Sequence, residues 1–274
     1  MHTMFKYIFL YSFLLQGLSL AAQSGFTTLG GANFLAYGRA GVNISGIEAI
    51  YLNQAGLADL KGTGLDVSFE KRYNFSELTN ISLAGARAFK FGTVGVMASN
   101  FGFSEYSEQK FGIAYARRLS GNVTLGGQFD LLRYNVTNTG SKNLFSFEAG
   151  MQVQLNRDFS VAAHVFSPGK IEVTEQTDLG TRFRLGLMFK PSDKVFVIGE
   201  LDKLIYRKPD FKVGFSYQVV REAQVRFGMS PVTQTWSHGA MFGFGQKYHI
   251  ASAFAANGNL GNTPALSMQY QSKK

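Results

Sequence analysis

From residue 63 to the C-terminus the sequence repeats one design: about ten residues in which apolar side chains alternate with polar or tiny ones, then a break. Phe145, Phe147, Ala149, Met151, Val153 and Leu155 alternate with Ser146, Glu148, Gly150, Gln152 and Gln154. Phe211, Val213, Phe215, Tyr217 and Val219 alternate with Lys212, Gly214, Ser216 and Gln218. Successive side chains of a strand point to opposite faces, so each segment has one greasy face and one polar or small face. The pattern predicts strands near 64–71, 77–89, 92–101, 108–118, 122–134, 143–155, 158–166, 178–189, 194–204, 210–220, 222–230, 235–245, 247–256 and 264–272. The expected class is all-β, and an even count of about fourteen closes an antiparallel barrel with both ends on one side.

A soluble sandwich would alternate in the same way, but the breaks separate the two. Short ones (Phe91-Gly92, Ser120-Gly121-Asn122, Asn156-Arg157-Asp158, Pro191-Ser192-Asp193, Arg221-Glu222, Gln246-Lys247) fall at every second connection. Between them come longer ones: 72–76, 102–107, 135–142, 167–177, 205–209, 231–234 and 257–263. Short periplasmic turns alternating with longer outer loops belong to a transmembrane barrel inserted from the periplasm. Aromatics near the strand ends (Tyr73, Phe75, Phe101, Phe103, Tyr134, Phe166, Phe189, Tyr206, Trp236, Tyr248) are expected to form headgroup-level girdles.

The chain opens with a basic start, an apolar run from Tyr7 to Leu20 and Ala21-Ala22-Gln23, which reads as a signal peptide over 1–22. No Cys occurs, so neither a disulfide framework nor thiolate chemistry is available. The expected location is the bacterial outer membrane, with N- and C-termini periplasmic. The net charge of +9 carries no basic run longer than two before the C-terminus, and an exported chain points away from nucleic acid. Basic residues recur at the short turns (Lys90, Arg117, Arg118, Arg157, Lys190, Lys194, Arg221, Lys247, with Lys273 and Lys274). Outer-membrane lipid headgroups account for them, and an acidic outer-membrane or periplasmic protein partner accounts for them equally.

Residues 23–62 do not alternate and are expected to form a separate element, with one or two helical turns within 44–60. Its small residues let backbone approach backbone, which suits a segment threaded through a lumen. Two stretches carry a family resemblance: Ala36-Tyr37-Gly38-Arg39-Ala40-Gly41-Val42 and Tyr51-Leu52-Asn53-Gln54-Ala55-Gly56-Leu57. They resemble the N-terminal hatch of the long-chain fatty-acid transporter (FadL) family and of the related PorV/PorQ-type barrels of the Bacteroidetes. Gln54 stands where those families usually carry Pro. The resemblance implies a hatch or plug over 23–62, centred on Gly38, Gly41, Tyr51, Asn53, Gln54, Ala55 and Gly56, and a barrel over 63–274.

If the greasy face meets lipid, the lumen contains Asp66, Glu70, Gln128, Asp130, Glu148, Gln152, His164, Arg182, Arg184, Lys212, Gln224 and Arg226. Charges of both signs are what a low-dielectric interior needs, whether they line a binding site or simply hold the plug. No nucleophile motif accompanies His164, His238 or His249, no metal-ligand spacing occurs, and no cofactor is implied. Phe242-Gly243-Phe244-Gly245 lies inside an alternating stretch, where glycine is expected to make room for the plug. Three non-enzymatic roles stay open. The PorV branch implies an accessory of protein export (type IX secretion) or of an outer-membrane complex. The fatty-acid transporter branch implies passive transport of a small hydrophobic ligand. A purely structural envelope role is the third.

Overall fold

The computed structural model describes residues 30–137, 140–169, 171–174, 177–245 and 247–272. The expected signal peptide, residues 23–29 of the expected hatch, Gln246, Lys273 and Lys274 lie outside them. Sixteen strands follow a short helix, α1 (Gly31–Leu35), and two 3-10 turns at Ile47–Tyr51 and Gln54–Asp59. They are β1 (Thr63–Lys71), β2 (Thr79–Phe89), β3 (Gly92–Gly102), β4 (Tyr106–Arg118), β5 (Val123–Val136), β6 (Gly140–Gln154), β7 (Phe159–Phe166), β8 (Ile171–Thr174), β9 (Thr177–Leu179), β10 (Arg182–Ser192), β11 (Val195–Leu204), β12 (Asp210–Val220), β13 (Ala223–Ser230), β14 (Thr235–Phe244), β15 (Tyr248–Asn257) and β16 (Gly261–Gln271). Fourteen of them form one closed antiparallel barrel in chain order, sealed by β1 against β16 from Gly64↔Gln271 to Glu70↔Ala265. β8 and β9 pair only with each other.

Closure leaves no free edge, and the alternation then sorts side chains between two environments. Leu65, Val67 and Phe69 of β1 point outward while Asp66, Ser68 and Glu70 are buried inside, and every barrel strand repeats this. The outer face is an apolar belt: Phe145 is 78% exposed, Phe129 72%, Trp236 67% and Ile113 65%. A belt of this extent is far larger than the apolar patches tolerated in water, and hydrocarbon is the solvent that suits it.

The structure departs from the sequence reading in several places. Three expected long connections shrink to residues 103–105, 137–139 and 258–260, because β3–β6, β15 and β16 run past the end of the alternation. The hydrophobic pattern stops where lipid would stop, whereas backbone pairing continues with polar residues such as Ser141 and Lys142. The strand expected over 178–189 starts at Arg182. Residues 171–179 instead form the β8–β9 hairpin, whose Ile171, Val173 and Leu179 pack on Leu132, Tyr134 and Leu144 inside the barrel mouth. Apolar loop residues with no lipid beside them bury against the wall instead. For the same reason Tyr134 and Phe166 leave the expected girdle and face inward, packed with the hairpin, and Phe101 faces inward beneath the Arg72 guanidinium, 5.4 Å from its ring. His238 sits on the outer face of β14, its ring 5.6 Å from that of Phe254.

Candidate functional site

The lumen is filled from the N-terminal side of the chain. Residues 30–60 lie almost wholly inside the barrel, and their backbone fits where wall side chains are missing. A Cβ at Gly126 would collide with Gln54 and Ala55, one at Gly150 with Asn53, one at Gly186 with Val42 and Asn43, and one at Gly228 with Tyr37 and Gly38. The inward glycines thus form a groove that takes the segment's main chain at Gly126 and Gly228 and its side chains at Gly150 and Gly186. Gly38 itself has φ +64°, a conformation costly for other residues, and a Cβ there would meet the Met229 nitrogen at 2.6 Å.

Across the wall from β4 to β12 runs a continuous band of buried charges. The Lys110 ammonium bonds Glu148 and lies 3.2 Å from Asp130. His164 Nε2 is 2.8 Å from Glu148, and Arg184 donates to His164 Nδ1 at 3.4 Å, which places the imidazole proton on Nε2. Arg184 is 3.8 Å from Glu200 and 3.7 Å from Asp202, Lys212 is 2.5 Å from Asp202 and 3.6 Å from Glu200, and Arg182 is 3.4 Å from Asp202. Lys110, Arg182, Arg184 and Lys212 are matched by Asp130, Glu148, Glu200 and Asp202, so the band is balanced, as buried ions must be.

Two of its carboxylates reach the inserted segment. Glu200 Oε2 accepts from the backbone N–H of Gly41 at 2.7 Å and of Val42 at 2.9 Å, satisfying two buried donors. Glu148 Oε2 accepts from Gln54 Nε2 at 3.0 Å. Gln54, in the position where the resembling families carry Pro, is therefore a link between segment and wall. Asn53 caps the second 3-10 turn through Ala55 N and donates to Val42 O at 2.8 Å, tying two parts of the segment together. Gln152 donates to Val42 O and Ile44 O, both at 3.1 Å. Gly56 is packed so closely that a Cβ would meet that of Ala49 at 2.7 Å, and Gly41 faces the Phe34 ring. Arg39 is bound to Glu70 at 2.5 Å, and Arg72 shares the same carboxylate.

A second polar group sits under α1. Tyr51 donates to Asp66 Oδ1 at 2.9 Å, Asn33 Nδ2 lies 3.5 Å from Asp66 Oδ2, and Arg226 donates to Asn33 Oδ1 at 3.0 Å while covering the Tyr37 ring at 5.0 Å. Of the residues singled out from the sequence, Asp130, Glu148, His164, Arg182, Arg184 and Lys212 are thus in one network and Arg226 is in another. Lys110, Glu200, Asp202, Arg39 and Asn33 were missed. The first three stand at inward positions of their strands, so strand parity alone would have found them. Gly243 is not beside the segment: a Cβ there would meet the His249 ring at 3.3 Å. Among the described residues no cluster of three His, Asp or Glu suits a metal ion.

Among the open spaces lined by described residues, two lie at opposite ends of the interior. One of about 360 Å³ lies at the end with the longer connections, lined by Leu35, Arg39, Arg72, Arg182, Leu204 and Lys212 among others. The other, about 890 Å³, lies at the short-turn end against Leu60, Ala88, Gly243, His249 and Gln271.

No protein-family model matches the chain, and no curated protein matches it in sequence. Solved structures do. The Ralstonia pickettii toluene transporter TbuX superposes with a TM-score of 0.68 over 90% of this chain and 98% of that one, at 11% identity. The P. putida toluene transporter TodX gives 0.66 over 91% and 99%, at 12% identity. A Pseudomonas aeruginosa FadL homologue gives 0.64 over 90% and 100%, at 10% identity. The chain has the fold of these FadL-type barrels.

Proposed function

We propose that the protein is a non-enzymatic outer-membrane channel that passes a small hydrophobic compound, with residues 30–62 as the described part of its hatch. The observation that carries this reading is a barrel with an apolar exterior whose interior is closed by one inserted segment and still holds open space on both sides of it. Two barrels with this fold are toluene transporters. Gly38, Gly41, Tyr51, Asn53, Gln54, Ala55 and Gly56 are the hatch residues in this reading, and Glu148, Glu200, Gln152 and the band around them hold it. The short turns with Lys90, Arg117, Arg118, Arg221 and Lys247 face the periplasm together with both termini, beside lipid headgroups. The export-accessory role has no observation in its favour, since none of the similar structures reported above is described as a secretion component.

The test is uptake of radiolabelled toluene by intact cells of a diderm host with a full lipopolysaccharide layer, which slows such compounds where a plain bilayer does not. Expression should raise initial uptake above the empty host. Equal rates in the two would refute the reading.

A further inference from the structure

We propose that the short-turn corner of β2, β3 and β4 is a binding site for one anionic phospholipid of the inner leaflet, its phosphate held between Arg87 and Arg117 and an acyl chain lying along β3. The inference stands apart from transport and shares with the reading above only the orientation that sets the short turns at the periplasm.

This corner carries positive charge that nothing in the chain offsets. Arg87, Lys90 and Arg117 are exposed and enter no ion pair among the described residues. Arg118 beside them is bound to Asp59. Three other short turns carry an acid of their own: Asp158 follows Arg157, Asp193 lies 3.3 Å from Lys190, and Glu222 follows Arg221. Headgroup contact of a general kind would serve all the turns alike, whereas an uncompensated group of three cations at one of them calls for an anion there.

The depth of the two arginines points to lipid as the source of that anion. Arg87 stands between Gly85 and Phe89 in the outward row of β2, and Arg117 between Tyr115 and Leu119 at the end of β4. Phe89, Phe91 and Leu119, all exposed, lie nearer the turns, so both guanidinium groups leave the wall on the membrane side of apolar neighbours. A cation at the edge of hydrocarbon needs a partner, and a lipid phosphate is the anion found at that level.

The corner is also built to hold its shape. Arg87 pairs across Val94 with Tyr115, about 10 Å away at ~4.8 Å per strand, and Arg117 is the next outward position after Tyr115, so two arginine side chains can reach one phosphate. The Arg87 guanidinium lies 5.7 Å from the centre of the Phe89 ring, Phe89 stacks on Phe91 at 5.2 Å, and Tyr115 Oη donates to Phe91 O at 2.7 Å. An arginine already packed on a ring loses less freedom when it takes an anion. Toward the barrel middle the outward residues of β3 are Val94, Val96 and Ala98, with Gly85 opposite Val96 on one side and Tyr115, Ile113 and Phe111 opposite them on the other. Small side chains beside a ridge of large ones leave a trough that fits an acyl chain rising from the phosphate.

The chain has a single tryptophan, so quenching by lipids brominated on their acyl chains can be read at one chosen place. In a Trp236→Phe background, Ile113→Trp reports on the proposed site and Leu185→Trp on the wall above the balanced Lys190–Asp193 turn. The full chain is refolded into phosphatidylcholine vesicles containing a minor share of either brominated phosphatidylglycerol or brominated phosphatidylcholine. At position 113 the phosphatidylglycerol should be preferred at least about five-fold, the factor one basic residue gives beside anionic lipid, and at position 185 the two should quench alike. Arg87→Gln with Arg117→Gln should bring the ratio at 113 to about one, and either change alone should lower it about two-fold or more, which decides the matter if the pair fails to insert. No preference at 113, the same preference at both positions, or a preference that survives the substitutions overturns the inference. Barrel extracted from the outer membrane of a diderm host in mild detergent should carry one phosphatidylglycerol by native mass spectrometry. A lipid A molecule held there instead overturns the leaflet and the orientation, whereas the transport reading stands or falls on uptake alone.

Discussion

Replacing Glu200 by Ala removes the acceptor of two backbone N–H groups, those of Gly41 and Val42, at a place where water has no ready access. Leaving a buried donor unsatisfied costs about 1–3 kcal/mol, so two cost about 2–6 kcal/mol, with the lower half applying where the cavity left by the side chain admits a water. Glu200→Ala leaves Arg182, Arg184 and Lys212 around Asp202 alone, a cost to the wall that is the same whether the segment is seated or open, and the barrel, whose ladders do not involve the side chain, is expected to stay closed. The loss therefore falls on the local opening of residues 39–44. At about 1.4 kcal/mol per decade, a loss of ~3 kcal/mol raises the opening constant about 100-fold. A single cysteine at Ala40, fully buried in the parent, reports it through its maleimide labelling rate. Glu200→Ala should accelerate labelling about 100-fold, and Glu200→Gln, which keeps a neutral acceptor, about ten-fold. A cysteine at Ala49, in the rear cluster, should label at the parental rate in all three backgrounds. Rates at Ala40 within two-fold of the parent would refute the claim that Glu200 holds the segment.

Gln54→Pro should fold normally: the Gln54 N–H makes no backbone bond, Asn53 already has the extended φ −146° and ψ 99° that a following Pro demands, and the lost Gln54–Glu148 bond should lower stability by about 1–3 kcal/mol in urea melts of refolded protein. Lys110→Met leaves Asp130 and Glu148 as buried neighbours without their shared cation and should cost about 3–5 kcal/mol by the same measurement; a change below 1 kcal/mol would show the band to be hydrated rather than dry. Phe129→Arg, in the outward belt, should cost about 2–4 kcal/mol when the barrel refolds into lipid vesicles, and no cost would place that face out of the membrane. Gly228→Val puts a side chain into the Tyr37–Gly38 backbone and should raise labelling at a cysteine replacing Ala40 while the barrel remains resistant to denaturation in cold detergent.

Period-two alternation is local, and so strand number, strand order and the sorting of lipid-facing from inward side chains were legible in 63–274 without any contact being known. Strand ends were less so. The expected strand begins at Asn143, but Lys142 and Ser141 are nevertheless paired with Tyr134 and Asn135 because the ladder outlasts the solvent boundary that shapes the pattern. Parity also carries the inward charges, among them Glu200 and Lys110, which the sequence reading passed over, yet parity cannot tell which carboxylate meets which cation, since Lys110 bonds Glu148 rather than a neighbour in sequence.

The sequence by itself determined a closed antiparallel barrel of alternating faces and a glycine- and alanine-rich leading segment that does not alternate. Only the tertiary structure decided that this segment lies along inward glycines, that Gln54 links it to the wall, and that 171–179 folds into the mouth. The physical reason is range. Alternation depends on a residue and its neighbours two positions away, whereas the groove at Gly228 and the bond from Gly41 to Glu200 join residues 159 or more positions apart. Their meeting is fixed by barrel closure, not by any local preference.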